Sequence, residues 1–285
     1  SRTVSVRIYA PVGEHKSLLA YLVRRLLENG ANSSFVNNIV DEEMPLESLV
    51  EDPVENVRGR SQRINPNIPL PADIYGDERL NSSGLDLTDI PTMLELAANT
   101  QRWQQENIKP LTELSDELAL SVNPADGREM VGAAPKTAAQ DLPAKLERAA
   151  RVYSQWSSTP VVERANCLRR LGDKLEAHMD EFIALCTKEA GKVTLDGVAE
   201  VREAVDFCRY YANEGLKVFG PHPDWDADGQ LESRGVVVCI SPWNFPLAIF
   251  MGQVTAALAA GNSVLAKPAD STCIIAAKAI GLMAG

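Results

Sequence analysis

The sequence predicts an α/β fold, and three consecutive segments near its C-terminal end carry that prediction. Residues 236–240 (VVVCI) are an unbroken run of apolar β-forming side chains, which is typical of a strand buried on both faces. Residues 247–260 are apolar almost all round and precede Gly261, as expected for a buried helix that ends at a left-handed glycine. Residues 263–266 resume a short apolar strand. Because such crossovers are right-handed, we expect two parallel strands whose carboxyl ends share one edge of the sheet.

The rest of the chain supplies helices, turns and one further strand. Residues 4–9 alternate between apolar and polar side chains, and residues 15–29 follow as an amphipathic helix that closes at Gly30. A helix-rich stretch is predicted over residues 90–120, and a turn or hairpin over residues 123–132. Amphipathic helices of ordinary length are then predicted over residues 137–156, 159–177, 179–190 and 196–217.

A proline-rich, acidic connector occupies residues 41–92. Its proline density predicts extended segments and turns rather than long helices, with a disordered linker as the alternative. Several apolar residues favour packing across a neighbouring domain, since they are too many for a solvated tether; they are Ile64, Ile68, Leu70, Ile74 and Tyr75. The predicted organisation is therefore an N-terminal segment over 1–40, the connector over 41–92, and a larger region over 93–285.

Composition excludes several classes of function. The chain has 285 residues, 45% of them apolar, so it can bury a sizeable core. Its net charge of −11 repels phosphate, which argues against nucleic-acid binding through this segment. No apolar run approaches a membrane span, and no signal peptide is visible at Ser1. Five cysteines without metal-ligand spacing and three scattered histidines predict no metal site, small buried thiols and a cytoplasmic protein.

A polar insert, Ser241-Pro242-Trp243-Asn244, lies where the first predicted parallel strand ends, and open α/β sheets bind ligands at that edge. The phosphate-binding pattern GxGxxG is absent from this turn. An amide such as that of Asn244 can stabilise an oxyanion, while the ammonium of Lys267 and the carboxylate of Asp270 can hold ribose hydroxyls. The spacing fits equally well a buried unit in which Trp243 fills the core and the two charges are solvated.

The exact residues around this turn, and in two segments upstream, give further support to a ligand site. The strings PWNFPL and AAGNSVLAKPA, with EAGK at 189–192 and NPADG at 123–127, closely resemble motifs of the aldehyde dehydrogenase superfamily over roughly residues 120–285. The resemblance implies that Asn244 is the oxyanion-hole amide for a thiohemiacetal intermediate and that Phe245 faces the aldehyde pocket. It also implies NAD as cofactor, contacted by Ile240, Ser241, Pro242, Trp243, Lys267 and Asp270. The family more often has glutamate at position 270, but either carboxylate would repel the 2′-phosphate of NADP.

The same resemblance predicts that this chain alone is inactive. In the family the nucleophilic cysteine and the glutamate base lie well over a hundred residues after the PWN turn, whereas this sequence continues only about forty residues beyond it. The five cysteines present fit small buried hydrophobes better than nucleophiles.

A second candidate site lies on the predicted helix at 15–29. Tyr21, Arg24, Arg25 and Glu28 are spaced by three, four and seven residues, so they share one face. Two guanidiniums beside an aromatic ring suit a carboxylate substrate, because arginine offers a planar bidentate fork. On spacing alone, a solvated helix face with a pair between Arg24 and Glu28 is the favoured alternative.

The strings RIYAPVG and LLAYLVRRLLENGANSSFV resemble the last strand and helix of the proline dehydrogenase barrel in bifunctional proline utilisation A proteins. The resemblance implies that Arg24 and Arg25 hold the carboxylate of proline, that Tyr9 and Tyr21 shape its pocket, and that Glu28 lies near an FAD. The connector strings PADIYG and NSSGLDL follow the same pattern.

Together these resemblances imply the last βα unit of a proline dehydrogenase (βα)8 barrel, a proline-rich connector, and the N-terminal part of a Rossmann-like NAD-binding domain of an aldehyde dehydrogenase. The parent would oxidise proline with FAD and glutamate semialdehyde with NAD. It is expected to be a homo-oligomer, and peripheral membrane association is left open. Two alternatives remain, namely a non-catalytic scaffold or docking module that reuses the fold, and a monofunctional aldehyde dehydrogenase with a foreign N-terminus.

Overall fold

The computed structural model describes residues 12–29, 35–41, 43–59, 61, 67–110, 118–221 and 231–283. The chain divides into two compact units, Ser1–Ile68 and Pro69–Gly285. Helices and strands both occur, so the predicted α/β class is confirmed at that level. Across the described ranges, no helix combines the length and the apolar character needed to cross a membrane.

The described part of the first unit is helical. Its helices are α1 (His15–Asn29), α2 (Phe35–Val40), α3 (Leu46–Leu49) and α4 (Pro53–Gly59). Helix α1 has the predicted bounds, and the apolar side chains of Leu26 and Leu27 on it are largely exposed. The strand predicted over residues 4–9, with Tyr9, lies outside the described residues.

The second unit is built around a helical core. Its helices are α5 (Ile90–Asn107), α6 (Leu142–Ser158), α7 (Val161–Ala177), α8 (Met179–Ala190), α9 (Thr194–Phe219), α10 (Ala248–Ala259) and α11 (Cys273–Gly281). The four amphipathic helices predicted upstream correspond to α6–α9, with ends shifted by a few residues. Helix α9 packs against α7, α8 and α10. Phe182, Val201, Phe250 and Met251 are almost fully buried in this core, each side chain contributing roughly 1.5–3 kcal/mol.

An antiparallel sheet follows α5. Its strands are β1 (Lys109–Pro110), β2 (Leu118–Asn123) and β3 (Asp126–Pro135), in the order β1-β3-β2. The helix-rich interpretation of 90–120 is therefore wrong at residues 109–110 and 118–120, which pair with β3 instead of continuing a helix. The predicted hairpin is confirmed, since Asn123 pairs with Asp126 across the turn.

The predicted strand, helix and strand near the C-terminus are present. Strands β4 (Val236–Ile240) and β5 (Ser263–Lys267) pair in parallel and flank α10, and Gly261 has the expected positive φ of 81°. The prediction that β4 is buried on both faces is wrong, because Val238 and Ile240 are 59% and 66% exposed. Val238 and Ile240 point to the same face of β4, and in the described residues that face is left open.

Helix α10 is fixed at its C-terminal end by two side chains from other helices. The Arg164 guanidinium donates to the Ala259 carbonyl (3.2 Å), and the Trp156 indole N–H donates to the Leu258 carbonyl (2.9 Å). A cation and a donor at this end complement the partial negative charge of the helix dipole. The residues before α10 are therefore attached to a rigid element.

The described part of the connector holds only short helices and turns before α5. Its residues after 78 pack against α7 and α9 through polar groups: Arg79 pairs with Asp206 (2.6 Å), and the Ser82 hydroxyl donates to the same carboxylate (2.7 Å). The expectation that the five named apolar side chains make this contact is wrong for Ile68, Leu70, Ile74 and Tyr75, which are exposed, and Ile64 lies outside the described residues. The connector docks through hydrogen bonds and ion pairs, and through Leu85 and Leu87, which are partly buried against the core.

Candidate functional site

The turn after β4 is attached to β5 at its beginning. Ile240 pairs with Lys267 across the sheet, and the Ser241 N–H donates to the Lys267 carbonyl (3.1 Å). The Ser241 side chain is buried, with its hydroxyl 3.3 Å from the Gln253 amide oxygen on α10. The structure therefore brings the first residue of the polar insert and Lys267 together at one edge of the sheet.

The middle of the turn is open to solvent. Trp243 is 62% exposed and Phe245 41% exposed, and Asn244 between them is also exposed. Pro242 is half-buried, and Pro246 is buried where the chain approaches α10. Trp243 does not fill the core, which removes the main feature of the purely structural alternative. The amide of Asn244 is accessible to a ligand.

A buried carboxylate holds the end of the turn. Glu200 on α9 is only 2% exposed, and its Oε2 accepts hydrogen bonds from the N–H groups of Leu247 (3.1 Å) and Ala248 (2.9 Å). These groups belong to the first turn of α10, where backbone amides lack partners within the helix and the dipole favours an anion. The residue N-terminal to α10, Leu247, offers no capping side chain of its own, so Glu200 performs that role from a neighbouring helix.

Lys192 completes this anchor. Its ammonium lies 3.0 Å from Glu200 Oε1, with the lysine side chain mostly buried. The same ammonium lies 4.7 Å from the centroid of the Phe245 ring, a distance at which a cation interacts with an aromatic face. Lys192 follows Gly191, whose φ of 67° ends α8 in the left-handed conformation. One ion pair thus contacts both the aromatic residue of the turn and the helix that follows it.

The helix after β5 has a similar cap. Glu189 is 3% exposed and accepts hydrogen bonds from the N–H groups of Ile274 and Ile275, both at 2.8 Å, in the first turn of α11. Burial raises the pKa of the Glu189 carboxyl, against the lowering effect of these hydrogen bonds. Since protein carboxylates already occupy the first turns of α10 and α11, neither offers its free amides to a phosphate.

Lys267 and Asp270 form an exposed pair at the same edge. The ammonium lies 2.9 Å from a carboxylate oxygen of Asp270, and both side chains are open to solvent. An adjacent donor and acceptor suit the two hydroxyls of a ribose. Across the described ranges, no group of three or more His, Cys, Asp or Glu side chains is arranged to hold a metal ion.

Four of the five cysteines are buried, as expected of small apolar thiols. Cys186, Cys208, Cys239 and Cys273 are buried, as predicted, whereas Cys167 is half-buried. Burial raises the pKa of Cys208 to about 12 and raises that of Cys186 even further. These two thiols therefore remain protonated at neutral pH and are not nucleophiles.

The residues of the second candidate site lie on α1. The Arg25 guanidinium is 5.5 Å from the centroid of the Tyr21 ring, and Arg24 on the same helix is exposed. Tyr9 and the side chain of Glu28 lie outside the described residues. The structure thus brings Tyr21 and Arg25 together, and it leaves Arg24 accessible.

Sequence reasoning did not identify the roles of Glu189, Lys192 and Glu200, although a signal exists for the two carboxylates. Each lies within the apolar stripe of its helix, Glu189 one turn after Leu185 and Glu200 one turn before Ala204. An ionisable residue within a buried stripe requires partners, because burying a charge without them is costly. The pattern indicates that partners exist, but their identity depends on tertiary packing.

The chain matches two protein families at different positions. Residues 112–284 match the model of the aldehyde dehydrogenase family, and residues 1–38 match the model of proline dehydrogenase.

Several known proteins are similar to most of the chain. The bifunctional protein PutA of Salmonella typhimurium is 46% identical over 288 residues, covering 97% of this chain and 21% of that protein. A 1-pyrroline-5-carboxylate dehydrogenase of Bacillus subtilis is 37% identical, covering 59% of this chain and 34% of that enzyme. A crystal structure of a mutant Bradyrhizobium japonicum proline utilization A is similar with a TM-score of 0.68 and 40% identity, covering 97% of this chain and 26% of that one. The chain therefore spans about a fifth of the length of the PutA relative.

Proposed function

The chain belongs to the aldehyde dehydrogenase family, and we propose that it is the central segment of a bifunctional enzyme that converts proline to glutamate. The observation that carries the proposal is the order of the two matches, with proline dehydrogenase at residues 1–38 and aldehyde dehydrogenase at residues 112–284. A bifunctional PutA relative aligns with 97% of the chain, through both matches and the connector between them. The parent would oxidise proline to pyrroline-5-carboxylate with FAD, and the hydrolysed semialdehyde to glutamate with NAD.

The proposed organisation follows the order of the sequence. Residues 1–40 would form the end of a proline dehydrogenase (βα)8 barrel, and residues 41–92 the connector. Residues 93–285 would form the helical region and part of a Rossmann-like NAD-binding domain, to which β4, α10 and β5 belong. The parent is proposed to be a cytoplasmic homo-oligomer whose acidic central segment binds no nucleic acid, with peripheral membrane association left open.

Asn244 has the central role in the proposed aldehyde step. Its side-chain amide would donate to the oxygen of the aldehyde as a thiolate from elsewhere in the parent attacks the carbonyl carbon. The exposed amide lies between two aromatic residues, which supports this role. Phe245 would contact the carbon chain of the aldehyde, and Trp243 with Pro242 would lie beside the nicotinamide.

The residues at the edge of the parallel sheet fit a dinucleotide. NAD, when bound, accepts the hydride of the aldehyde step. Lys267 would donate to a hydroxyl of the adenosine ribose, and Asp270 would accept from one and repel a 2′-phosphate. Ile240 and Ser241 would contact the nicotinamide side of the cofactor. The roles of Lys267 and Asp270 are supported by their exposed ammonium and carboxylate groups, which lie 2.9 Å apart at the end of β5.

In the proposed proline site, Arg24 and Arg25 would bind the carboxylate of proline. Tyr21 would form one wall of the pocket, and its ring contact with Arg25 supports that arrangement. Tyr9 is proposed as a second wall, and Glu28 as a neighbour of the FAD.

A second candidate is a role in aldehyde oxidation alone. The 1-pyrroline-5-carboxylate dehydrogenase of Bacillus subtilis, aligned with 59% of this chain, favours it. The proline dehydrogenase match at residues 1–38 favours the bifunctional enzyme, and it also weighs against a scaffold that merely reuses one fold.

Activity assays on two lengths of protein test the proposal. The full-length enzyme that carries this segment should reduce an artificial electron acceptor with proline and form NADH with pyrroline-5-carboxylate. The 285-residue chain should catalyse neither reaction. In the full-length enzyme, Asn244→Ala should lower kcat for NADH formation by about 10²–10³-fold and leave proline oxidation unchanged. Absence of either activity from the full-length enzyme would refute the bifunctional assignment, and turnover by the short chain would refute its predicted inactivity.

A further inference from the structure

We infer that Glu200, together with Lys192, is a positioning residue that fixes the orientation of Asn244 for aldehyde oxidation. The inference rests on the proposed function of Asn244. Neither Glu200 nor Lys192 is accessible enough to contact a substrate directly, because Glu200 is 2% exposed and the Lys192 side chain is mostly buried. Their contacts are instead directed to the C-terminal side of the exposed turn, at Phe245 and at the backbone of Leu247 and Ala248.

The first contact fixes the end of the turn. Pro246 has no N–H group, so Leu247 and Ala248 supply the first backbone donors after Phe245. Both donate to the same oxygen of Glu200, at 3.1 and 2.9 Å. Hydrogen bonds to an ionised acceptor are about twice as strong as those between neutral groups, so this attachment resists rotation of the helix end.

The second contact fixes the residue next to Asn244. Lys192 bridges Glu200, at 3.0 Å, and the ring of Phe245, at 4.7 Å from its centroid. The beginning of the turn is held separately by the hydrogen bond from Ser241 to the Lys267 carbonyl (3.1 Å). Only Pro242, Trp243 and Asn244 lie between these attachments, and a short segment with both ends fixed has few conformations.

A fixed turn matters for an oxyanion donor. Such a group stabilises the transition state when it already points at the position of the developing charge, and a displacement of about 1 Å can cost about 10²-fold in rate. Removing the Glu200 charge would free the first turn of α10 and loosen Lys192 from Phe245. We therefore expect the loss to fall on kcat for the aldehyde and not on the affinity for NAD.

Glu189 provides a matched comparison, because it caps the neighbouring helix α11 with the same chemistry, at 2.8 Å from two backbone amides. Its helix follows the Lys267 and Asp270 edge instead of the Asn244 turn. Glu189→Gln should therefore raise KM for NAD, with kcat at saturating NAD within about twofold of the wild type. Glu200→Gln should instead lower kcat and leave KM for NAD largely unchanged.

A double-mutant cycle in the full-length enzyme tests the inference. Glu200→Gln alone should lower kcat for NADH formation by about 10–100-fold, and in an Asn244→Ala background it should lower kcat by less than about threefold further. Proline oxidation, measured in the same preparations, should stay unchanged and report that the variants fold. An equal effect of Glu200→Gln in both backgrounds would overturn the inference while leaving the role of Asn244 intact. No effect of Asn244→Ala would overturn the proposed function itself.

Discussion

The two strand-to-helix junctions of the parallel sheet use one capping device in different surroundings. After β4, Glu200 accepts from two amides of α10 and also pairs with Lys192 at 3.0 Å. After β5, Glu189 accepts from two amides of α11, and burial raises the pKa of its carboxyl. The first cap is thus part of an ion pair, whereas the second is a carboxyl whose burial disfavours its charge.

The segments that these caps support also differ. The junction after β4 carries the exposed Asn244 turn, with Phe245 against the ammonium of Lys192. The junction after β5 carries an exposed pair, Lys267 and Asp270, whose 2.9 Å contact is made between the two side chains themselves. The difference indicates that the Asn244 turn has a second attachment, through Lys192, which the ribose edge after β5 does not share.

The comparison predicts unequal losses of stability when each carboxylate is removed. Glu200→Ala leaves Lys192 buried without its partner and two amides uncapped, so the free energy of unfolding of the 285-residue chain should fall by about 3–5 kcal/mol. Glu189→Ala leaves only the two amides and should cost about 1–3 kcal/mol. Urea denaturation of both variants measures the difference. A loss for Glu189→Ala equal to or above that for Glu200→Ala would show that the ion pair adds nothing.

Removing the ammonium of Lys192 also tests how much the ion pair with Glu200 contributes to stability. Lys192→Met leaves the Glu200 carboxylate with its amides but without an ammonium, and should cost about 2 kcal/mol in urea denaturation. Lys188→Met is a matched control, because Lys188 pairs with Glu129 at 2.8 Å with more of both side chains exposed. That variant should cost less than about 1 kcal/mol. Similar losses for the two lysines would contradict a special role for the buried pair.

Local patterns in the sequence were enough to predict most of the strands and helices around these junctions. The apolar runs of β4 and α10, with Gly261 after them, specify their elements from neighbouring residues alone. The strand at residues 118–123 is predicted as part of a helical stretch, because its pairing partner lies beyond a turn and only the pairing distinguishes it from a helix. The open face of β4 was also missed, since an apolar run does not reveal which elements pack against each face of the strand.

The residues of the candidate site likewise fall into those that the sequence identifies and those that only tertiary packing reveals. Asn244, Lys267 and Asp270 are identified by motif, because they are surface residues at the end of a predicted strand. The roles of Glu200 and Lys192 depend on the packing of α9 against α10, which no spacing within one element encodes. The signal for Glu200, a charge one turn before Ala204 in a buried stripe, predicts a partner without naming it.

The raised pKa of Glu189 predicts a pH dependence at the second junction. Between its ordinary value of 4.5 and its higher folded pKa, the unfolded chain has released this proton while the folded chain retains it. Stability from this group is therefore complete below 4.5 and is lost as the pH rises through the folded pKa. The unfolding free energy of the wild type minus that of Glu189→Gln should accordingly decrease with pH in this range.

Glu129 supplies a control of opposite sign for that measurement. Its hydrogen bond with Lys188 is the largest cause of a lowered pKa, so its contribution is present above its ordinary value of 4.5 and is lost as the pH falls through the folded pKa. The corresponding difference for Glu129→Gln should increase with pH below 4.5. Slopes of the same sign for the two variants would contradict the burial of Glu189 as the cause.

The smallest effect on stability is expected at the exposed pair. Asp270→Asn should change the free energy of unfolding by less than about 0.5 kcal/mol, because both partners are solvated. In the full-length enzyme the same change should reduce the preference for NAD over NADP, measured as the ratio of the two kcat/KM values, since the 2′-phosphate would no longer meet a carboxylate. Glu189→Gln should leave that ratio unchanged while raising KM for NAD, because it moves the edge without altering its charge. A ratio that responds to Glu189→Gln and not to Asp270→Asn would remove Asp270 from the cofactor site.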